Sequence, residues 1–276
     1  MTIPHRSPIE PTPRVRYRKS AEKLRADQLK ALRDGFKAIK GLRDRNGFWH
    51  WAAVHGAPVD GCEHSLNQFD SLFLPWHRAY LYRLEIALQT KVPQCTLPWW
   101  DWPASRARAI ESKTSALPPA FAEAEVEGED NPLAGSELPP LPNDPPGWPK
   151  ATARKPEPAE NLPVEGKVQK VLELPDFDDF SLHLEIELHN LVHRWVGGSM
   201  KSQVFASYDP IFWAHHTMVD RLWSLWQVLH SSRGPRPTQW RTALRGLDMT
   251  VEDVLDTQPL GYQYAASTAH RKVDGQ

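Results

Sequence analysis

The sequence predicts a mainly α-helical domain, a four-helix core joined by long irregular loops. Three observations carry that expectation. Apolar residues recur at three- and four-residue spacing in separate segments, the signature of a helix with one buried face. Several of the 12 histidines fall on those apolar stripes. Proline, at 26 of 276 residues, is nearly twice its usual share of about 5%, so long loops must separate the helices.

Taken in order, Ala21 to Lys40 sets Leu24, Leu29, Leu32, Phe36 and Ile39 on one face with Lys and Arg between, and Gly41 ends it. Phe48 to Val54 predicts a short second helix that stops at the Gly56–Pro58 turn. Ser71 to Thr90 predicts a third, with Pro75 in the first turn and Leu74, His77, Leu81, Leu84 and Leu88 facing inward. Twelve of the 26 prolines then lie between Pro118 and Pro163, a composition expected to hold no regular element. About residues 111–166 are therefore read as a surface excursion. The apolar faces on either side still need partners, so residues 1–276 are expected to pack as a single domain. Ser181 to Val196 follows with an inward stripe of Leu182, Ile186, His189, His193 and Val196. Last, Asp209 caps a long helix with Pro210 at its first position, running to about His230.

A net charge of −1, from 33 basic and 34 acidic residues, supplies no field for nucleic acid or an anionic membrane. A small neutral partner is the expectation. Cys62 and Cys95 cannot form a multi-bridge framework or a four-thiolate zinc site. Met1 to Tyr17 lacks an apolar core run, and no apolar stretch is long enough to span a bilayer. A soluble protein is expected, cytoplasmic rather than secreted.

Histidine on an apolar stripe needs its nitrogens satisfied, and for one residue a bond to backbone or carboxylate suffices. The pair His189 and His193 changes the odds, because i, i+4 spacing puts two imidazoles side by side on one face. No His-Glu-x-x-His run is present for a zinc hydrolase, and no Glu-x-x-His for a di-iron bundle. Imidazole-only donor sets suit copper, and two groups of three would make a dinuclear centre.

Val54-His55-Gly56, Cys62-Glu63-His64 and Phe73-Leu74-Pro75-Trp76-His77-Arg78 resemble the copper A region of tyrosinases and other type 3 copper proteins. Leu188 to His193 with Gly197-Gly198-Ser199-Met200, and Asp209 through Trp223, resemble the copper B region. Leu97-Pro98-Trp99-Trp100-Asp101-Trp102 is similar to the segment linking them. The resemblance covers roughly Arg16 to Gln227 outside the proline-rich stretch, as a short form without the family's C-terminal lid domain. It implies His55, His64 and His77 on one copper ion and His189, His193 and His216 on a second. His215 and His216 occupy two nearly equal apolar stripes; the family pattern favours His216, with His215 nearby. In most of the family the second ligand lies closer to the third than His64 does to His77, at a position held here by Gln68. Cys62 stands at the Cys-x-His spacing that in several branches forms a thioether to the histidine ring, here His64.

The resemblance further implies dioxygen as co-substrate, ortho-hydroxylation of monophenols and oxidation of o-diphenols to o-quinones. A catechol oxidase without hydroxylation, or a hemocyanin-like oxygen-binding protein, are the alternatives. A phenol with a pKa near 10 must lose its proton before hydroxylation. Glu185 and Asn190 match the residues that orient a water as base in many relatives, and Arg194 matches one that influences substrate charge preference. Asp220 and Glu85 are read as supports for the ligating imidazoles, with pairing to arginine as the plainer reading of Asp220. Trp76, Trp195, Trp213, Trp223 and Trp226 are expected to wall the centre. The expected partners are a small phenol and dioxygen, together with a copper-delivery protein.

Overall fold

The computed structural model describes residues 15–56, 72–140 and 147–265. A short strand β1 (Arg16–Arg18) leads to a 3-10 turn at Ala21–Lys23 that the Ser20 hydroxyl caps. The chain is extended at Leu24 and Arg25 before α1 (Ala26–Lys40) begins. The first helix is thus shorter than its periodicity predicts, because Gln28 Oε1 turns back onto the Arg25 N–H at 3.2 Å and starts a fresh cap. Helices α2 (Phe48–His55) and α3 (Phe73–Lys91) follow where expected.

Helix α4 (Trp102–Ser112) is an addition to the predicted set. Asp101 caps it by accepting from Ala104 N–H at 3.2 Å, and Pro103 lies in its first turn. Its apolar stripe is too narrow to register as a period, since only Trp102, Pro103, Ser105 and Ala109 are buried.

The proline-rich stretch departs from expectation. It contains α5 (Pro119–Ala122) and an antiparallel pair, β2 (Glu125–Val126) with β3 (Glu129–Asp130). It also buries Phe121, Asn131, Leu133, Leu138 and Leu162. Prolines deny this stretch long ladders, so side chains satisfy several of its carbonyls instead. Asn131 Nδ2 donates to Ala120 O at 3.0 Å and Glu123 O at 2.7 Å, and Lys40 Nζ donates to Pro132 O at 2.6 Å.

Helix α6 (Glu165–Leu172) precedes a continuous helical rod made of α7 (Phe177–His183), a π-helical turn (Leu184–His189) and α8 (Asn190–Val196). The π turn corrects the predicted stripe. Ile186 is 52% exposed while Glu185 is 5% exposed. Buried positions run Phe180, Leu184, Leu188, Val192 and Val196. Each i to i+4 step in an α-helix overshoots a full turn by about 40°, and the wider π turn takes part of that drift back.

Helix α9 (Pro210–His230) has Asp209 as its cap, accepting from Ile211 N–H at 3.1 Å. Beyond it come an antiparallel pair, β4 (Ala243–Leu244) with β5 (Met249–Thr250), and then β6 (Tyr262–Tyr264), which lies parallel to β1 with Arg16 opposite Tyr262. Helix α3 packs between α1 and α9 at the centre. Among the described residues, no helix is long and apolar enough to cross a membrane.

A buried charge cluster ties these ends together. Asp220 on α9 accepts from Arg78 Nε at 2.5 Å, Arg18 Nη1 at 3.2 Å and the hydroxyls of Tyr262 and Tyr264. Arg18 also donates from Nε to Glu85 at 2.7 Å. Asp220 and Glu85 therefore serve the arginines that join β1, α3, α9 and β6, and among the described residues neither bonds an imidazole, contrary to the supporting role read from the sequence.

Candidate metal centre

Two adjoining groups of histidines meet in the core. His55, His77 and His216 form one, and His189, His193, His215 and His216 form the other, with donor atoms in each group within 4.8 Å of one another. Helix α2 delivers His55 on its last turn and α3 delivers His77 on its second. The π turn and α8 deliver His189 and His193, and α9 crosses beside both groups with the adjacent pair. Five of the six predicted ligands are brought together. His64, the sixth, and Cys62, its expected thioether partner, lie outside the described residues.

Hydrogen bonds fix which nitrogen each ring offers. His77 Nδ1 lies 2.8 Å from Phe73 O and His193 Nδ1 lies 2.7 Å from Met200 O. A carbonyl only accepts, so both rings carry their proton on Nδ1 and turn an Nε2 lone pair inward. Asn190 Oδ1, 3.1 Å from His189 Nδ1, sets the same tautomer there. His216 Nε2 lies 3.3 Å from the Nε2 of both His189 and His193. That separation is about the edge of a tetrahedron with metal–nitrogen bonds of about 2.0–2.1 Å.

His215 and His216 are completely buried. Burial first, and the neighbouring histidines second, hold both rings well below the usual histidine pKa. Neutral imidazole is the form that binds metal. His216 Nδ1 and both nitrogens of His215 have no hydrogen-bond partner among the described residues. His215 stacks on His189, with ring centroids 5.1 Å apart and planes at 16°, and it touches Trp102. Both adjacent histidines thus reach the second group. In both groups every donor is an imidazole, with no carboxylate among them, and that set fits copper.

Aromatic rings close the space around the histidines. Phe73 lies 4.7 Å from His77 and 4.9 Å from His189; Phe212 lies 4.7 Å from His55 and 4.1 Å from His216. Sequence reasoning passed over both, although each stands four residues before a histidine on its own helix. Of the predicted tryptophans, Trp76 touches His55 and His77. Trp213 packs on Phe212, while Trp223 and Trp226 face Arg78, Phe177 and Phe180 instead. Trp102, against His215, is the wall residue the sequence did not single out.

The remaining predicted residues are placed as follows. Glu185 is buried, and its carbonyl accepts the Asn190 N–H across the π turn. Arg194 is exposed on α8. His50 is half-buried, edge-on to Trp51 and outside both groups. His183 pairs with Glu187 at 2.6 Å, and His230 Nε2 donates to Leu172 O at 2.8 Å. Cys95 is buried as a free thiol.

A family model of the common central domain of tyrosinase matches residues 45–229. The chain is 30% identical over 284 residues to a tyrosinase of Streptomyces glaucescens, covering 93% of this chain and 98% of that one. It is 29% identical over 231 residues to hemocyanin units G and H of Sepia officinalis, covering 79% of this chain and 38% of that sequence. The chain thus spans well under half of that hemocyanin. A functional unit of octopus hemocyanin superposes with a TM-score of 0.70 at 26% identity, over 91% of this chain and 68% of that one. A tyrosinase of Burkholderia thailandensis superposes at 0.72 and 22% identity, over 92% of this chain and 75% of that one, a likeness of fold.

Proposed function

The chain belongs to the tyrosinase family, and from that premise we propose that it is a two-copper phenol oxidase that hydroxylates monophenols and oxidises o-diphenols to o-quinones. The observation that carries this reading is the pair of adjoining all-imidazole groups, with Asn190 on His189 and a buried Glu185 one turn earlier.

His55, His77 and His64 would hold one copper, and His189, His193 and His216 the other. Bound copper supplies the electrons that activate dioxygen, without an organic cofactor. The chain's own part is geometry and dryness. Phe73 and Phe212 exclude water from the rings they touch. The carbonyls of Phe73 and Met200 and the Asn190 amide hold three imidazoles in the metal-binding tautomer. Glu185 takes up the proton that a monophenol must lose, through a water it orients together with Asn190. Arg194 at the surface favours acidic phenols.

Copper-loaded protein mixed with tyramine, a hydroxybenzoate and the matching catechols tests the reading by oxygen uptake. Turnover of both substrate classes is expected. Turnover of catechols alone defeats the hydroxylase assignment. Reversible oxygen binding without product defeats the enzyme assignment in favour of an oxygen carrier. Asn190→Ala, which deprives His189 Nδ1–H of its acceptor, should weaken copper binding 10- to 100-fold, read by chelator competition.

A further inference from the structure

Outside the histidine groups, one heavily bonded side chain of the proline-rich stretch reaches the cap of a histidine-bearing helix. Arg154 grips Asp209 with a two-pronged contact, Nε at 2.9 Å from Oδ2 and Nη2 at 2.5 Å from Oδ1. The same guanidinium donates from Nη1 to Phe121 O and from Nη2 to Leu133 O at 2.9 Å. Asp209, fully buried, is the cap of α9, six and seven residues before His215 and His216.

The backbone on either side of Arg154 holds the other histidine-bearing helix. Lys155 N donates to Val196 O at 2.9 Å and Glu157 N to Trp195 O at 2.9 Å. Ser199 N donates to Ala153 O at 2.7 Å, and Ala153 N returns a bond to Ser199 Oγ at 3.0 Å. The segment so gripped includes Met200, whose carbonyl accepts the His193 Nδ1–H. Gly197 and Gly198 turn at positive φ directly under it; a Cβ there would stand 2.4 Å from Lys155 O and 2.0 Å from Ala153 O.

We propose that Arg154 is a positioning residue for the second histidine group, setting the distance between the α8 end that carries His193 and the α9 start that leads to His216. Resting on the copper reading above, this makes the proline-rich stretch a fixture of one metal site rather than a surface appendage. Arginine suits the task because its planar fork meets a carboxylate at two points, which lysine cannot do.

The test compares full-length wild type, Arg154→Gln, Arg154→Lys and, as a control, Arg33→Gln, which removes a pair to Glu123 on the exposed edge of the same stretch. Copper stoichiometry and affinity are read by chelator competition, and amide hydrogen exchange is read on the metal-free chains. Arg154→Gln should keep one copper at wild-type affinity and bind the other 10- to 100-fold more weakly. The ion it keeps should be lost on adding His77→Gln but not His193→Gln. Exchange should quicken at residues 197–200 and at Ile211 and Phe212, whose amides bond Asp209, and stay unchanged in α1. Arg33→Gln should resemble wild type. If Arg154→Gln does not fold, Arg154→Lys decides the matter, with the same one-sided loss expected at smaller size. Equal loss of both ions, both ions held at wild-type affinity, or exchange that quickens throughout the chain would each overturn the assignment. A wild type that binds fewer than two copper ions would defeat the functional reading alone, because the exchange pattern still decides the positioning claim.

Discussion

Replacing Asp220 with asparagine keeps the shape of a completely buried side chain and removes its charge. Two guanidiniums are left facing it. Arg78 lies 2.5 Å away and Arg18 3.2 Å away, both with side chains fully shielded from solvent. Removing one partner of a buried ion pair costs about 3–5 kcal/mol, because the remaining charge is uncompensated. The lower end applies here. Arg18 keeps Glu85 at 2.7 Å, and Arg78 keeps the carbonyls of Val254 and Leu255 at 3.1 and 3.0 Å. An unfolding entropy of about 2.1 cal/mol/K per residue, scaled to 276 residues, converts about 3 kcal/mol into a fall in Tm of about 5 °C. Differential scanning calorimetry of metal-free wild type and Asp220→Asn at pH 7 measures it. Burial alone would raise the Asp220 pKa, but Arg78 and Arg18 outweigh it and hold the carboxyl below its usual value. Its stabilisation is therefore complete above the unfolded pKa near 4 and is lost as pH falls through the lower folded value. The gap between the two proteins should be constant from pH 5 to 8 and close in stronger acid. A gap under about 1 °C at pH 7, or one that widens in acid, would refute the claim that this cluster bonds β1 and β6 to the ligand helices.

His215 and His216 are held neutral by burial, so in the metal-free chain their contribution is full above the unfolded pKa near 6.5 and is lost as pH falls below it. Equilibrium urea unfolding should show stability dropping by up to about 2.7 kcal/mol per pH unit between pH 6 and 5 if both rings stay unprotonated when folded; a flat profile contradicts their burial. Gly198→Ala places a methyl group 2.0 Å from Ala153 O at a φ of +53°, and should cost more than about 2 kcal/mol in the same assay. Gly166→Ala, where a Cβ meets nothing within 4 Å, should instead stabilise α6 by about 0.5–1 kcal/mol.

What could be read from the sequence was what is local. Helix α9 appears at the residues its Asp-Pro start predicts, and the histidines that stand on apolar stripes do converge. Each of those inferences needs only the turn of a helix and the chemistry of a side chain. Other features depend on contacts far apart in sequence. Whether Asp220 serves an imidazole or an arginine cannot be decided from α9 alone, because one of its partners is Arg18, 202 residues away. Whether Glu185 or Ile186 points inward depends on a π turn, which leaves no periodic trace and displaces the stripe by a single position.

The proline-rich stretch is the sharpest case. Its composition rules out long regular elements, and from that the sequence reading placed it at the surface. Most of its described residues are indeed exposed or half-exposed, yet Phe121, Asn131, Leu133, Leu138 and Leu162 are buried, because prolines remove donors while buried backbone needs only that its polar groups find partners of some kind. Here arginine, lysine and asparagine side chains and the open backbone of residues 153–157 supply them. Lacking a ladder of its own, this segment can follow the irregular turn at Gly197–Met200 closely enough to bond it at several points, which a regular helix or strand could not do. The same prolines that hide the stretch from periodic analysis therefore suit it to join the two helices that carry His193 and His216.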